Sequence, residues 1–246
     1  MNHTQARRLL EIELATGFVL SPAGRMLRAR DPDGTPAPKM VLAGCADSNI
    51  LLLNADVADH AAETITSLAS DERPLDHPYS MPHHADRYRE LLDVEVPLTS
   101  SDFALNFLLP HNTPWPGIAN IVDHGTPEGE ALIARLARDG LPQSMIAMGF
   151  ADLSHFWEPW CVALDGDEIA SIAFAARLGD QGAALGLATM PQFRGHGLGA
   201  AVTAAWSSLP ALKDRTLFYG TDRANVSSQR VTQRLGLAFF GSSLRL

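Results

Sequence analysis

Arg194, Gly195, Gly197 and Gly199 stand together in one short stretch, after Pro191 and ahead of an apolar helical pattern. A fixed cation beside three positions without side chains describes a site for an anion. The first amides of a helix point outward unpaired, the macrodipole favours negative charge there, and glycine lets the backbone approach a ligand closely. The elements that must hold these residues are legible on both sides. Ala183 to Met190 reads as a strand that Pro191 stops, and Leu198, Ala201, Val202, Ala205, Trp206 and Leu209 recur at steps of three and four, one apolar face of a helix. The anion expected at such a corner is a phosphate.

Three phosphate loops compete for this stretch. A nucleoside-triphosphate loop ends in Gly-Lys-Ser or Gly-Lys-Thr, and Gly199-Ala200-Ala201 does not. Gly195, Gly197 and Ala200 do satisfy the dinucleotide spacing Gly-x-Gly-x-x-Ala, with Asp222 placed to hold a ribose, which makes a nicotinamide or flavin oxidoreductase the runner-up. That fingerprint sets its first glycine on the strand end, whereas Pro191 to Arg194 intervene here. The order Arg194-x-x-Gly197-x-Gly199 resembles the pyrophosphate loop of the GNAT superfamily, N-acyltransferases that use acetyl-CoA or a related acyl-CoA. The resemblance continues through the aromatic strand Thr216–Gly220 and through Asn225 to Leu237, where an Asn, a Ser three residues on and a helix closing in Leu-Gly follow one another. Upstream, Trp160–Leu164 and Ile169–Ala176 read as strands around the turn Asp165-Gly166-Asp167. The likeness spans about residues 145 to 246, weakens over 100 to 145 and is absent before that.

The resemblance implies a fold, a donor and a site. The fold is α+β in three layers, a mixed, mostly antiparallel sheet flanked by helices, with an extra N-terminal α/β lobe. The expected division is residues 1–100 for that lobe and 101–246 for the GNAT-like domain. The donor is acetyl-CoA, without a metal, and the acceptor is a small-molecule or peptide amine. Arg194, Gly195, His196, Gly197, Leu198, Gly199 and Ala200 would hold the pyrophosphate. Backbone N–H groups near Ala188 and Thr189 would face the thioester and stabilise the oxyanion. Asn225 and Ser228 fall where family members contact the pantetheine arm, and both are also ordinary cap residues for a helix starting at Val226.

Two departures from the family bear on catalysis. Many members carry a Glu on the central strand, where this chain has Ala184 and Ala188, and a tyrosine that commonly protonates the leaving thiolate is replaced by Thr232. Candidates for the proton work are Glu158 and His155, in the aromatic stretch His155–Trp160, and Tyr219 on the strand after the loop helix. The same departures motivate a second reading, a regulatory domain that binds acyl-CoA without turning it over.

The remaining elements are read from pattern. Thr4–Thr16 is a helix stopped by Gly17, Phe18–Leu20 and Met26–Ala29 flank a turn at Ser21–Gly24, and Lys39–Leu42 and Asn49–Leu53 are strands. Asn54 is expected to cap a helix bearing Val57, Ala61, Ile65 and Leu68, and 71–101 to be a long loop. His77, His83 and His84 lie in that loop without the one-turn spacing of a helical metal-ligand pair. Phe103–Leu109 is a strand, Thr126-Pro127-Glu128 starts a helix that Gly140 ends, and Pro142–Met148 is a shorter one. The first hundred residues carry no readable chemistry and fit a degenerate acyltransferase-like half, a substrate lid or a dimerisation element, the last implying a homodimer.

With 246 residues, 46% of them apolar, the chain can bury a full core. Its apolar runs are far short of the ~20 residues that span a bilayer. Only two cysteines, Cys45 and Cys161, and a polar N-terminus lead to the expectation of a cytoplasmic protein without a disulfide framework. Formal charge is −9 but uneven: residues 191–246 hold seven basic side chains against Asp214 and Asp222. A basic end suits a polyanionic coenzyme and an acidic remainder a cationic amine, while no basic stripe interleaved with aromatics points to nucleic acid.

Overall fold

Ala6, Leu9, Leu10 and Leu14 recur at helical spacing, and their burial lays His3–Gly17 (α1) against a sheet. The computed structural model describes residues 3–115, 117 and 119–246. Phe18–Leu20 (β1) and Met26–Ala29 (β2) form the expected small antiparallel pair. Met40–Cys45 (β3) and Ser48–Leu53 (β4) form a second hairpin. Asp59–Ser70 (α2) follows, but Asn54 does not cap it. Ala58 holds the cap position without a side-chain bond, and Asn54 Nδ2 donates instead to the carbonyls of Ala37 and Pro38, tying two loops.

The stretch expected as loop contains a helix, Ala85–Leu91 (α3). It is short and largely polar, and one side chain anchors it: Tyr88 is fully buried and donates its hydroxyl to Glu72 at 3.0 Å. His83 and His84 use their backbone N–H groups on the same carboxylate, at 2.6 and 2.8 Å. Phe103–Leu109 (β5), Asn120–Asp123 (β6), Pro127–Asp139 (α4) and Gln143–Ile146 (α5) come next. The start of α4 is as read, with Thr126 Oγ1 accepting from Gly129 N–H at 3.1 Å and Pro127 at the first position. Then follow Cys161–Asp165 (β7), Glu168–Leu178 (β8), Gly182–Thr189 (β9), Leu198–Trp206 (α6), Thr216–Asp222 (β10), Val226–Leu235 (α7) and Ala238–Arg245 (β11).

Nine strands make one sheet in the order β4-β3-β11-β5-β10-β9-β8-β7-β6. β3 and β4 join the sheet of the later strands through the pairing of β3 with β11, while β1 and β2 form a separate two-stranded sheet. β5 is inserted between β10 and β11, antiparallel to both. Helices α1, α4 and α5 cover one face, burying Phe218, Phe240, Val162 and Ile172. On the other face lie α2, α3, α6 and α7, over Leu42, Phe103, Leu185 and Tyr219.

One strand pair is parallel, β9 with β10, and α6 makes the crossover that a parallel pair needs. Its ladder is brief. Gly182, Ala183 and Ala184 pair with Thr216, Leu217 and Phe218, and beyond them the two strands part. At the same level β8 carries a bulge, its register shifting between Ala175 and Arg177 opposite Leu185 and Ala184. A bulge bends its strand and increases local twist, which turns β9 away from β10 where the gap opens.

Candidate functional site

The loop after β9 is built by its glycines. Pro191–Phe193 forms a single tight turn, Arg194 leaves it extended, and Gly195 and Gly197 then take φ of 86° and 82°, a region that side chains disfavour. Gly197 is the left-handed N-cap of α6, so the helix's first amides open onto a cleft. That cleft is walled by Arg194, Leu198 and Gly199 on one side and by Arg230, Val231 and Arg234 of α7 on the other.

A second hollow of about 230 Å³ continues from it along the parted strands, lined by Leu187, Ala188, Thr189, Asn225, Ser228 and Met148, with Arg194 common to both. Arg194 Nε donates to the Thr189 carbonyl at 3.3 Å, and its guanidinium lies 3.6 Å from the Met148 sulfur. These contacts fold the side chain over the junction of cleft and slot.

Sequence reasoning missed Arg230 and Arg234 as site residues. Their signal was available, since two arginines four apart share a face of a helix, but which face meets the loop depends on how α7 packs. His196 is exposed and does not line the cleft, whereas Gly195, Leu198, Gly199 and Ala200 do.

Backbone direction along β9 follows from two bonds. Met190 N–H donates to the Ala170 carbonyl at 3.0 Å, and Ser171 Oγ donates to the Ala188 carbonyl at 3.0 Å, so even-numbered residues at this end aim their backbone groups at β8. The amides of Leu187 and Thr189 point the opposite way, into the gap. Of the two amides expected at the reacting carbonyl, the Thr189 N–H faces the slot, while that of Ala188 is turned to the neighbouring strand and Leu187 takes its place.

Asn225 caps α7, its Oδ1 accepting from Ser228 N–H at 3.0 Å. Ser228 Oγ lies 2.8 Å from the Tyr219 hydroxyl, which also donates to the Ser228 carbonyl at 3.3 Å. Tyr219 is 2% exposed, and burial pushes its phenol up to about 12, a shift the Ser228 bond partly offsets. Tyr219 therefore positions Ser228 from beneath and does not line the slot. Thr232 is buried and donates to the Gln229 carbonyl at 2.8 Å within its own helix.

The other two catalytic candidates are elsewhere. Glu158 is exposed on a separate cavity with His124, Glu130, Phe156 and Trp160, at the start of β7, two strands from β9. His155 Nδ1 accepts from Ala151 N–H at 3.3 Å and its ring lies among Phe150 and Trp157. Neither lines the slot.

No protein-family model matches the sequence, and no curated protein matches it. Among solved structures it is similar to a GNAT-family acetyltransferase from Colwellia psychrerythraea, at 14% identity and TM-score 0.41, covering 100% of this chain and 98% of that one. A GCN5-related N-acetyltransferase from Kribbella flavida matches at 14% identity and TM-score 0.43, over 97% and 93% of the two chains. A GNAT-family protein from Novosphingobium aromaticivorans matches at 18% identity and TM-score 0.39, over 58% of this chain, which spans 62% of that protein. Likeness of this degree names no substrate. The sheet's own topology, a mostly antiparallel array with one parallel pair that parts beside a glycine-rich loop and its helix, makes the fold GNAT-like.

Proposed function

We propose that the protein is an acyl-CoA-dependent N-acyltransferase that moves an acetyl group from acetyl-CoA to an amine. The observation that carries this reading is the continuity of two features: a cleft with three guanidinium groups at a helix N-terminus, and a slot between strands that part after three paired residues. The residues fit the donor. Arg194, Arg230 and Arg234 with the first amides of α6 would take the diphosphate. The pantetheine arm would lie in the slot against Leu187 and Val231, and the free amides of Leu187 and Thr189 would polarise the thioester carbonyl. Acetyl-CoA, as substrate, supplies the activated acyl group; the chain binds it, orients it and offers main-chain donors where negative charge develops.

The absence of a carboxylate or tyrosine among the described slot residues favours the acyl-CoA-binding regulator as the second reading. The oxidoreductase reading has less support, since a dinucleotide fold is built on parallel strands and one pair of this sheet is parallel. Calorimetry with CoA and NADH, followed by detection of free thiol from acetyl-CoA over a panel of amines, tests all three. CoA binding with thiol release is the expected result. Binding without release for every amine would leave the regulator, and NADH binding in place of CoA would refute the donor site.

A further inference from the structure

The gap between β9 and β10 also opens toward the face that α1 covers. A cavity of about 120 Å³ lies there, bounded by the parted ends Leu185 and Tyr219–Asp222 and by four polar side chains from four other elements: Glu13 of α1, Asn106 of β5, Arg177 of β8 and Arg245 of β11. Asn106 is 2% exposed, and neither atom of its amide has a partner. Nε of Arg177 and Nε of Arg245 are likewise buried and unpaired. The far end of Arg177 is occupied, its guanidinium pairing with the buried Asp31 at 2.7 Å. Among the described residues, the side chains of Glu13 and Arg245 make no hydrogen bond or ion pair. Native proteins seldom leave several buried polar groups unpaired in one place unless water or a ligand completes them.

We infer that this cavity receives an α-amino acid as the acyl acceptor, with Glu13 as the base that takes a proton from its amine and Arg245, with Asn106, as the seat of its carboxylate. The inference rests on the acyltransferase reading above. The unmatched groups are of both kinds, donors on Arg245, Arg177 and Asn106 and acceptors on Glu13 and Asn106. A zwitterion matches both at once, whereas a plain amine would leave the buried Nε of Arg245 without an acceptor. The volume, about four waters at ~30 Å³ each, takes an ammonium and a carboxylate on one carbon and leaves a longer side chain to extend past the exposed Asp222. Burial raises the Glu13 carboxyl from its ordinary value, against the opposing pull of Arg245 and then Arg177, which makes it a stronger proton acceptor than an exposed carboxylate.

In the step, Glu13 removes one proton from the ammonium and passes it to solvent. The freed nitrogen pair forms the C–N bond as the C–S bond breaks, and the nitrogen's second surplus proton goes to the departing sulfur, giving the amide, the thiol and one released proton.

The test compares amino acids with their decarboxylated amines as acceptors for the wild-type protein, using free-thiol release, alongside calorimetry with CoA. Amino acids should be preferred by about tenfold to a hundredfold in kcat/KM, the range of a charge-assisted contact. Arg245→Gln should raise KM for the amino acid. Glu13→Gln should lower kcat about a hundredfold or more at neutral pH and recover as pH rises and solution supplies neutral amine, which a merely structural role would not produce. Equal use of both acceptor types, an unaltered Glu13→Gln rate, or CoA binding with no turnover of any amino acid would overturn the inference and leave the donor site standing. Failure of the wild-type protein to bind CoA would overturn both. The acceptor comparison needs no variant, so a misfolded mutant cannot shelter the idea.

Discussion

Replacing Arg194 with alanine is the sharpest probe of the proposed donor site, because among the residues that border both the cleft and the slot it is the one that carries a charge. Its guanidinium is held over the junction by the Thr189 carbonyl at 3.3 Å and the Met148 sulfur at 3.6 Å, so it is partly pre-positioned for an anion. A hydrogen bond to a charged group contributes ~1.5–3 kcal/mol, and the exposure of Arg194 places it at the lower end through solvent screening. About 1.5 kcal/mol is roughly tenfold in Kd. Arg230 and Arg234 face the same cleft, so adding Arg230→Ala should weaken binding further but by less than the product of the single effects. Calorimetry with CoA and with dephospho-CoA at low and high salt reads all of this. The loss should persist with dephospho-CoA, which keeps the diphosphate, and should shrink as the Debye length falls from ~10 Å at 0.1 M to ~3 Å at 1 M. Unchanged affinity of Arg194→Ala at low salt would remove the residue from the site.

Two further predictions concern the scaffold. Tyr219 should make stability pH-dependent at the alkaline end. Its folded pKa of about 12 lies above the ordinary value of 10.0, so the protonated phenol's contribution is full below about pH 10 and is lost as pH climbs toward 12. Tyr219→Phe should remove only part of that loss and leave the acid side unaltered, since burial also raises the Tyr88 phenol and the Cys161 thiol, and a variant whose alkaline profile around the ~10 reference value coincides with wild type would contradict it. Glu72→Gln should lower stability by about 1.5–3 kcal/mol, because the amide nitrogen of glutamine meets donors from His83, His84 or Tyr88 that the carboxylate accepts. A denaturant midpoint equal to wild type would mean that the Glu72 bonds do not hold this segment.

Local chemistry was legible in the sequence at several self-contained turns, though not at Asn54. The cap at Thr126 with Pro127, the cap at Asn225 and the stop at Gly236, with φ of 63°, are decided within one turn of helix, and each is where the residues place it. The loop from Arg194 to Gly199 belongs to the same category, since its glycines set the backbone without help from distant parts. Elements whose sequence is weak in propensity were not legible: α3 buries two residues, Ala85 and Tyr88, β6 is four residues long at the sheet edge, and β11 carries Gly241, Ser242 and Ser243 in its middle. They form because partners elsewhere bury or pair them, as β3 and β5 do for β11.

Sequence by itself determined the glycine-rich loop, most of the helices and the central strands. Tertiary structure decided which strands adjoin, where the parallel pair parts, and which charged groups share a space. Glu13 and Arg245 lie near opposite ends of the chain and meet only because α1 packs across a sheet that includes the last strand. Glu158, chosen for its company in sequence, was carried away from the slot by the strand order. A residue's local conformation depends on its own few neighbours, whereas proximity across a sheet depends on pairing choices made by the whole chain.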